Sequence, residues 1–223
     1  MKLSFIIPTL NEESYIRSCL EPLQQYREKG HEIILADGGS TDETLEIAEP
    51  LVDRITLSGK GRARQLNAGA AAATGDIFFF VHADTLLTSE INHLLSEKIH
   101  STRAWGRFDV RLSGSHPLLR VIELLMNLRS RITGIATGDQ VIFVTRTMFR
   151  ECGGFPDVPI MEDIEMSTRL LRICRPECLH EKVVTSSRRW EHNGIVRTIV
   201  KMWYLRLIYH LGADPEVLAR KYG

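Results

Sequence analysis

The chain is 223 residues long, with 28 Lys+Arg set against 28 Asp+Glu, so its formal net charge is zero. That balance offers no field for nucleic acid or another polyanion, and the length suits one large domain with a substantial core. No run of about 18 apolar residues is present to cross a bilayer, and Met1 to Pro8 carries a single basic residue and too short an apolar run for a signal peptide, so a cytoplasmic protein is expected. Of Cys19, Cys152, Cys174 and Cys178 only the last two lie close, with His180 just beyond; without a second ligand pair they read as buried, reduced thiols rather than a zinc site.

Leu3 to Ile7 predicts a short strand that Pro8 should end, because proline cannot donate to a ladder. Asn11 in the following loop is a good N-cap for a helix running to about Lys29, where Gly30 stops it. Glu32 to Asp37 reads as a second strand, which completes the strand-helix-strand unit of a parallel sheet. A short helix from Asp42 to Ala48 and a strand from Arg54 to Leu57 follow. Ser58-Gly59-Lys60-Gly61-Arg62 then leads into an Ala- and Gly-rich helix, Arg62 to Thr74, able to lie close against the sheet. This basic loop lacks the Lys-Ser/Thr of a Walker phosphate loop, and reads as a plain turn or as a contact for an anionic ligand.

Gly75 to Thr85 is an apolar run that stops at His82, Asp84 and Thr85. Its β-branched and aromatic residues predict a strand buried on both faces, with polar groups at the C-terminal edge where ligands bind in open α/β sheets. The same residues would also serve to cap a helix expected over Ser89 to His100. At Trp105 to Leu112 the period changes to strict alternation, as for a half-exposed antiparallel strand. Pro117 to Ile132 is an amphipathic helix with Arg120, Glu123 and Asn127 on one stripe. Val141 to Thr145 is a strand introduced by Gly138-Asp139-Gln140. Met161 to Glu165 opens a helix ending before Pro176, Val183 to Ser187 is a last strand, and Ile195 to Leu211 is a mostly apolar helix broken by Arg197, Lys201 and Arg206. Asp214-Pro215 begins a final short helix.

Asp37, Asp84 and Asp163 each follow a strand or open a helix. Together they suggest a polyanionic ligand held through a divalent metal, since hard carboxylate oxygens with phosphates and waters are the usual shell of Mg2+ or Mn2+. Phe5-Ile6-Ile7-Pro8-Thr9-Leu10-Asn11-Glu12, Ala36-Asp37-Gly38-Gly39-Ser40-Thr41-Asp42, Gly61-Arg62-Ala63-Arg64-Gln65-Leu66-Asn67-Ala68-Gly69, His82-Ala83-Asp84, Gly153-Gly154-Phe155 and Glu162-Asp163 resemble, in order, the successive motifs of the family 2 glycosyltransferases of GT-A fold. The resemblance spans about residues 3 to 190. Within the family, His-Ala-Asp-Thr with Arg-Arg-Trp is similar to a group of short, soluble bacterial members named only for their gene neighbourhoods.

The resemblance implies a Rossmann-like, mostly parallel α/β sheet with an antiparallel element and helices on both faces. It implies a catalytic domain over residues 1–194, with a nucleotide-binding half over about 1–100 and an acceptor-binding half over about 101–194, and a helical appendage over 195–223. The implied reaction moves a sugar from a nucleoside diphosphate, UDP foremost, to an acceptor hydroxyl with inversion. By position, Pro8, Thr9, Asn11 and Glu12 border the nucleotide, Asp37 hydrogen-bonds a uracil-type base, and Arg64 lies near base or phosphates. Asp84 corresponds to the second acid of the family's Asp-x-Asp metal motif, Ala83 precedes it, and His82 stands where the first acid is expected; imidazole ligates Mn2+ but suits Mg2+ poorly. Asp163 corresponds to the catalytic base. Arg189 and Trp190 match part of the Gln-x-x-Arg-Trp motif of processive members, so processive synthesis is not implied; Arg189 would neutralise the leaving diphosphate, and His192 is the second candidate metal ligand.

Plainer roles stand beside these: Asp163 as a helix N-cap, Trp190 as core, His192 as a solvated surface residue. Two other functions remain open, transfer to a polyprenyl phosphate at a membrane surface and nucleotide-sugar binding without turnover. The apolar faces of Pro117 to Ile132 and Ile195 to Leu211 suit peripheral membrane contact, core packing or a homodimer interface.

Overall fold

In the computed structural model, which describes residues 1–87 and 104–222, the apolar segments Leu3–Thr9 (β1), Glu32–Asp37 (β2), Arg54–Leu57 (β3) and Ile77–Phe80 (β4) lie parallel in the order β3-β2-β1-β4. Thr85–Leu87 (β5), Trp105–Leu112 (β6), Ile142–Thr145 (β7) and Glu177–Thr185 (β8) continue this one sheet in the order β7-β6-β8-β5. β7 runs antiparallel to both β4 and β6, β6 parallel to β8, and β5 antiparallel to β8. This is the mostly parallel sheet with an antiparallel element that the sequence implies. The helix expected over Ser89 to His100 lies outside the described residues.

Alternate residues of a strand face opposite sides of the sheet, and here both sides are covered. Phe5, Ile7, Ile33, Leu35 and Phe79 share a core with Ile16, Cys19 and Leu20 of α1 (Glu13–Leu20) and Tyr26 of α2 (Gln24–Arg27), beside Ala48 of α3 (Thr44–Ala48). On the other side Ile6, Phe78 and Phe80 meet Leu66 of α4 (Arg62–Ala72). A Cβ at Gly69 would strike the Ile6 side chain, so the small residues of α4 are what let it lie on the sheet. The four cysteines are not bonded to one another, and burial pushes the Cys19 thiol up to about 12.

Several local expectations are corrected. Pro8 does not end β1, which continues to Thr9 paired with β2. It ends only the ladder with β4: the Val81 N–H donates to Ile6 O, and the next donor on that side would be the N–H that Pro8 lacks. Asn11 is not the N-cap of α1; it is left-handed at φ 55°, and its Oδ1 accepts the Thr41 N–H at 2.8 Å, tying the first loop to the second. The helix expected to reach Lys29 is broken at Glu21–Leu23 into a 3-10 turn with Pro22 near its start.

The alternation in β6 does not mark an exposed face. Arg107 is fully buried and ion-paired with Asp109, which also binds Arg131 at 2.7 Å. The ladder of β6 with β7 stops at Arg107, leaving one edge from Asp109 onward without a strand. The helix α5 (Pro117–Thr133) fills that edge with side chains, while α6 (Arg146–Glu151) follows β7. Asn127 exchanges hydrogen bonds with the Val110 N–H and C=O, Glu123 accepts from the Leu112 N–H, and Arg120 donates to Leu112 O. The polar stripe of α5 therefore faces inward, opposite to the usual amphipathic rule.

At the other end of the sheet, Glu32 joins the starts of β1, β2 and β4, accepting from Ser4, Thr74 and Lys2. Burial raises its carboxyl, but these hydrogen bonds outweigh burial and bring it down to about 2. A depressed carboxyl stabilises the fold above its unfolded value and loses that contribution as pH falls through the folded one. Glu32→Gln is expected to cost on the order of 2 kcal/mol in urea unfolding at neutral pH, after allowance for solvent at the Lys2 side. The gap to wild type should narrow as pH falls from 4.5 toward about 2; a cost independent of pH would mean that shape, not charge, is what the substitution removes.

Candidate active site

The parallel strands β1, β2 and β4 end on the same edge, and the loops beyond β1 and β4 open into a cleft of about 430 Å³, a size suited to a small-molecule ligand. Pro8, Thr9 and Glu12 come from the end of β1, and His82, Ala83 and Asp84 from the end of β4. Facing them are Arg62 at the start of α4, Glu162 and Asp163 at the start of α7 (Glu162–Leu171), and Arg188, Arg189 and Trp190 at the start of α8 (Arg188–Asn193). The inner side of α9 (Ile195–His210) adds Thr198, Met202 and Arg206, and α10 (Pro215–Tyr222) adds Tyr222.

Acids and arginines alternate across this cleft. Arg188 Nη2 lies 3.1 Å from both oxygens of Glu12 and 3.4 Å from Asp84, with its guanidinium over the Tyr15 ring at 4.4 Å. Burial raises the Glu12 carboxyl, and Arg188 opposes the rise. Arg62 Nη1 is 3.6 Å from Glu162; burial alone would lower the Arg62 pKa, but Glu162, Asp139, Asp163 and Asp84 outweigh it and hold the charge in place. Glu162 is raised by burial and then by its neighbour Asp163. Arg189 sits over the Tyr222 ring at 4.5 Å.

Asp163 is not the N-cap of α7, which begins one residue earlier after a left-handed Met161 at φ 68°. One carboxylate oxygen accepts the Ile164 N–H at 2.8 Å and the other the Gly138 N–H at 2.9 Å. Each oxygen keeps a second lone pair. The turn that supplies Gly138 is fixed on its far side by Gln140, which donates to Ser130 of α5. The same turn aims Asp139 into the cleft, with Oδ1 3.3 Å from Nδ1 of His82. Burial would raise Asp139, but the His82 contact and Arg62 outweigh it, so its carboxyl is lowered. Nε2 of His82 packs on Gly138, where any Cβ would collide with it.

Four residues expected at the site are not among those lining the cleft: Asn11, Asp37, Arg64 and His192. Asp37 is fully buried, and its oxygens accept from the Gly39 and Ser40 N–H groups, the Ser40 hydroxyl and Thr9, so it shapes the loop after β2. Arg64 points away from Arg62 and pairs with Asp157 at 2.9 Å. His192 is exposed, with Nδ1 3.3 Å from Asn193. Trp190 lines the cleft and also packs against Leu119 and Ile122 of α5. In the other direction, Arg62, Asp139, Glu162, Arg188 and Arg206 stand in the cleft without having been singled out as site residues. Arg206 lies near Arg129 of α5, which burial and then Arg206 bring down to about 10; Nε of each is buried without a hydrogen-bond partner.

A model of the family described as "Glycosyl transferase family 2" matches residues 4–150, well over half the chain. The chain belongs to that family. Among curated relatives, it is similar to the dolichyl N-acetyl-alpha-D-glucosaminyl phosphate 3-beta-D-2,3-diacetamido-2,3-dideoxy-beta-D-glucuronosyltransferase of Methanococcus voltae, 39% identical over an aligned length of 93 residues, in a match that covers 36% of this chain and 29% of the relative. The match thus spans less than a third of that relative's length. Among solved structures, TarS of S. aureus in complex with UDP-GlcNAc has a TM-score of 0.67 at 22% identity, over 83% of this chain and 58% of that one. The mannosyltransferase PcManGT from Pyrobaculum calidifontis, in complex with GDP-Man and Mn2+, has a TM-score of 0.62 at 21% identity, over 82% of this chain and 56% of that one. These two likenesses show the fold.

Among the described residues no three His, Cys, Asp or Glu side chains gather into a ready-made metal cage. A divalent cation carried on a diphosphate needs only one or two protein carboxylates, with phosphate and water oxygens completing its shell. Asp84, with Asp139 also bordering Arg62, fits that limited demand. His82, with Nδ1 on Asp139 and Nε2 against Gly138, fits it poorly.

Proposed function

We propose that this cleft transfers a sugar from a nucleoside diphosphate, UDP foremost, to an acceptor hydroxyl with inversion at the anomeric carbon. The observation that carries the reading is the meeting of Asp84 and Asp163, from distant segments, in one cleft with Arg62, Arg188 and Arg189. Family membership and the nucleotide sugars bound by TarS and PcManGT support it. In this reading residues of about 1–100 hold the nucleotide, with Pro8, Thr9 and Glu12 along it and Asp37 and Asn11 keeping the loops in shape. Residues of about 101–194 hold the acceptor, and the appendage over 195–223 closes the far wall.

A divalent metal, Mn2+ or Mg2+, bound at Asp84 would neutralise diphosphate charge. Arg62 and Arg189 add fixed positive charge where the leaving group gains negative charge. Asp163 takes the proton from the acceptor hydroxyl as that oxygen bonds to the anomeric carbon and the bond to the diphosphate breaks. The two N–H groups that hold Asp163 orient it and occupy one lone pair on each oxygen, leaving the second to take the proton.

The test is a thermal-shift and calorimetric panel of UDP- and GDP-sugars, each with and without Mn2+. One donor class should raise the melting temperature, with the shift larger in Mn2+. A panel in which no nucleotide sugar changes melting or gives heat would overturn the reading.

A further inference from the structure

We propose that α5 and α9 together form a docking face for an anionic lipid bilayer, which seats the protein on the membrane surface with the cleft at the lipid-water boundary. Because α5 turns its polar stripe onto β6, its opposite stripe of Leu118, Val121, Leu124, Leu125, Leu128 and Ile132 is left outward, from 40% to 65% exposed. On α9 the same holds at helical spacing: Val196, Val200, Trp203 and Leu207 are each about 60% exposed, opposite the buried Thr198 and Leu205. The inner sides of the two helices meet in one cluster through Leu119, Ile122, Ile195 and Ile199, so the outward stripes adjoin. Scattered apolar side chains on a surface need no explanation, but two adjoining stripes of this length do.

Charge decides between occupants. The one acid on α5 is Glu123, buried against Arg120 and Leu112, and α9 has none. Exposed Arg197 flanks the α9 stripe, and in the last turn of α10 Lys221 stands over the ring of Tyr204 at 5.4 Å, with that helix's one acid, Glu216, in its first turn at the other end. A second copy docking through the same face would set these cations against each other, with no acid on either helix to pair with them. Anionic headgroups pair with them instead, while Trp203 and Tyr204 supply the amphipathic rings that settle at a lipid interface. No described helix is long and apolar enough to cross a membrane, so the contact is one of helices lying in the interface. Since α9 gives Thr198, Met202 and Arg206 to the cleft from its other side, docking brings the cleft to the bilayer. Docking stands on its own surface, whether or not the cleft transfers a sugar.

The test is co-sedimentation of the whole protein with vesicles of phosphatidylcholine alone and of phosphatidylcholine mixed with phosphatidylglycerol, beside analytical ultracentrifugation without lipid. Binding should require phosphatidylglycerol and weaken as salt rises. Leu124→Ser combined with Trp203→Ser should lower it by about tenfold or more, and Arg197→Glu by severalfold, with melting temperature and nucleotide affinity unchanged. Both leucine and tryptophan are already solvent-facing, at 65% and 63% exposure, so the fold should tolerate these changes. Wild-type protein left in the supernatant at low salt, binding unaffected by the variants, or a stable dimer that the same variants dissociate would each overturn the proposal.

Discussion

Asp163→Asn should lower the rate of sugar transfer by about 10² to 10⁴-fold, the usual worth of a positioned general base, while nucleotide affinity stays close to wild type. A base acts on the acceptor's proton and not on the donor, so rate and affinity should separate. Both Asp163 oxygens accept backbone N–H groups, so Asn, with a single acceptor oxygen, gives up one of these bonds. Melting temperature therefore has to be measured alongside. A structural role alone would show as a loss of stability and affinity together, with the rate falling no further than the folded fraction. Glu162→Gln is the natural comparison, because Glu162 is buried beside Asp163, is raised by that burial, and faces Arg62. If Glu162→Gln loses rate and Asp163→Asn does not, the base is Glu162.

Asp84→Ala should erase the metal dependence of UDP or GDP binding, with affinity in Mn2+ falling by on the order of 10²-fold or more as the carboxylate ligand is lost. In metal-free buffer the sign should differ. Asp84 lies 3.4 Å from Arg188 and acts on the charge of Arg62, so its removal frees cationic groups for phosphate, and affinity without metal should hold or rise. Calorimetry of wild type and variant, each with Mn2+ and with a chelator, reads both effects. An unchanged ratio of the two affinities would remove Asp84 from metal binding.

The strands Glu32–Asp37 and Ile77–Phe80 were legible because a strand buried on both faces is written as a continuous apolar run. Glu32 to Asp37 and Arg54 to Leu57 fold within the bounds that their turn residues predict. β6 departs from the half-exposed strand its alternation predicts for a reason that also turns the polar stripe of α5 inward: Arg107, Asp109, Glu123 and Asn127 are polar, but they satisfy one another and an unpaired strand edge. Periodicity tells which residues share a face, and not which face is inside when a sheet edge demands hydrogen bonds.

The candidate site divides in the same way. Asp84 and Asp163 stand in recognisable motifs at the ends of elements. Asp139 was seen only as the lead into a strand, because what aims it is the tie of its turn to Asp163 and Ser130, groups far apart in sequence. Arg62 was read as part of a loose basic loop, although as the first residue of α4 it meets acids from three other segments. Asp37 and Arg64 fit their motifs by position, yet one is turned inward on its own loop and the other outward to Asp157. Sequence position could not show either orientation.

In the proposed reaction the cleft breaks the bond between a sugar and a nucleoside diphosphate by attack from the opposite face. The most direct measurement is proton NMR of the wild-type protein in Mg2+ with α-linked nucleotide sugars, following nucleotide release and the anomeric proton of the sugar first formed, with water standing in for the acceptor. Slow release of the nucleoside diphosphate from one donor class and a first product of β configuration are expected. A first product of α configuration, or no release from any nucleotide sugar, would contradict that reaction.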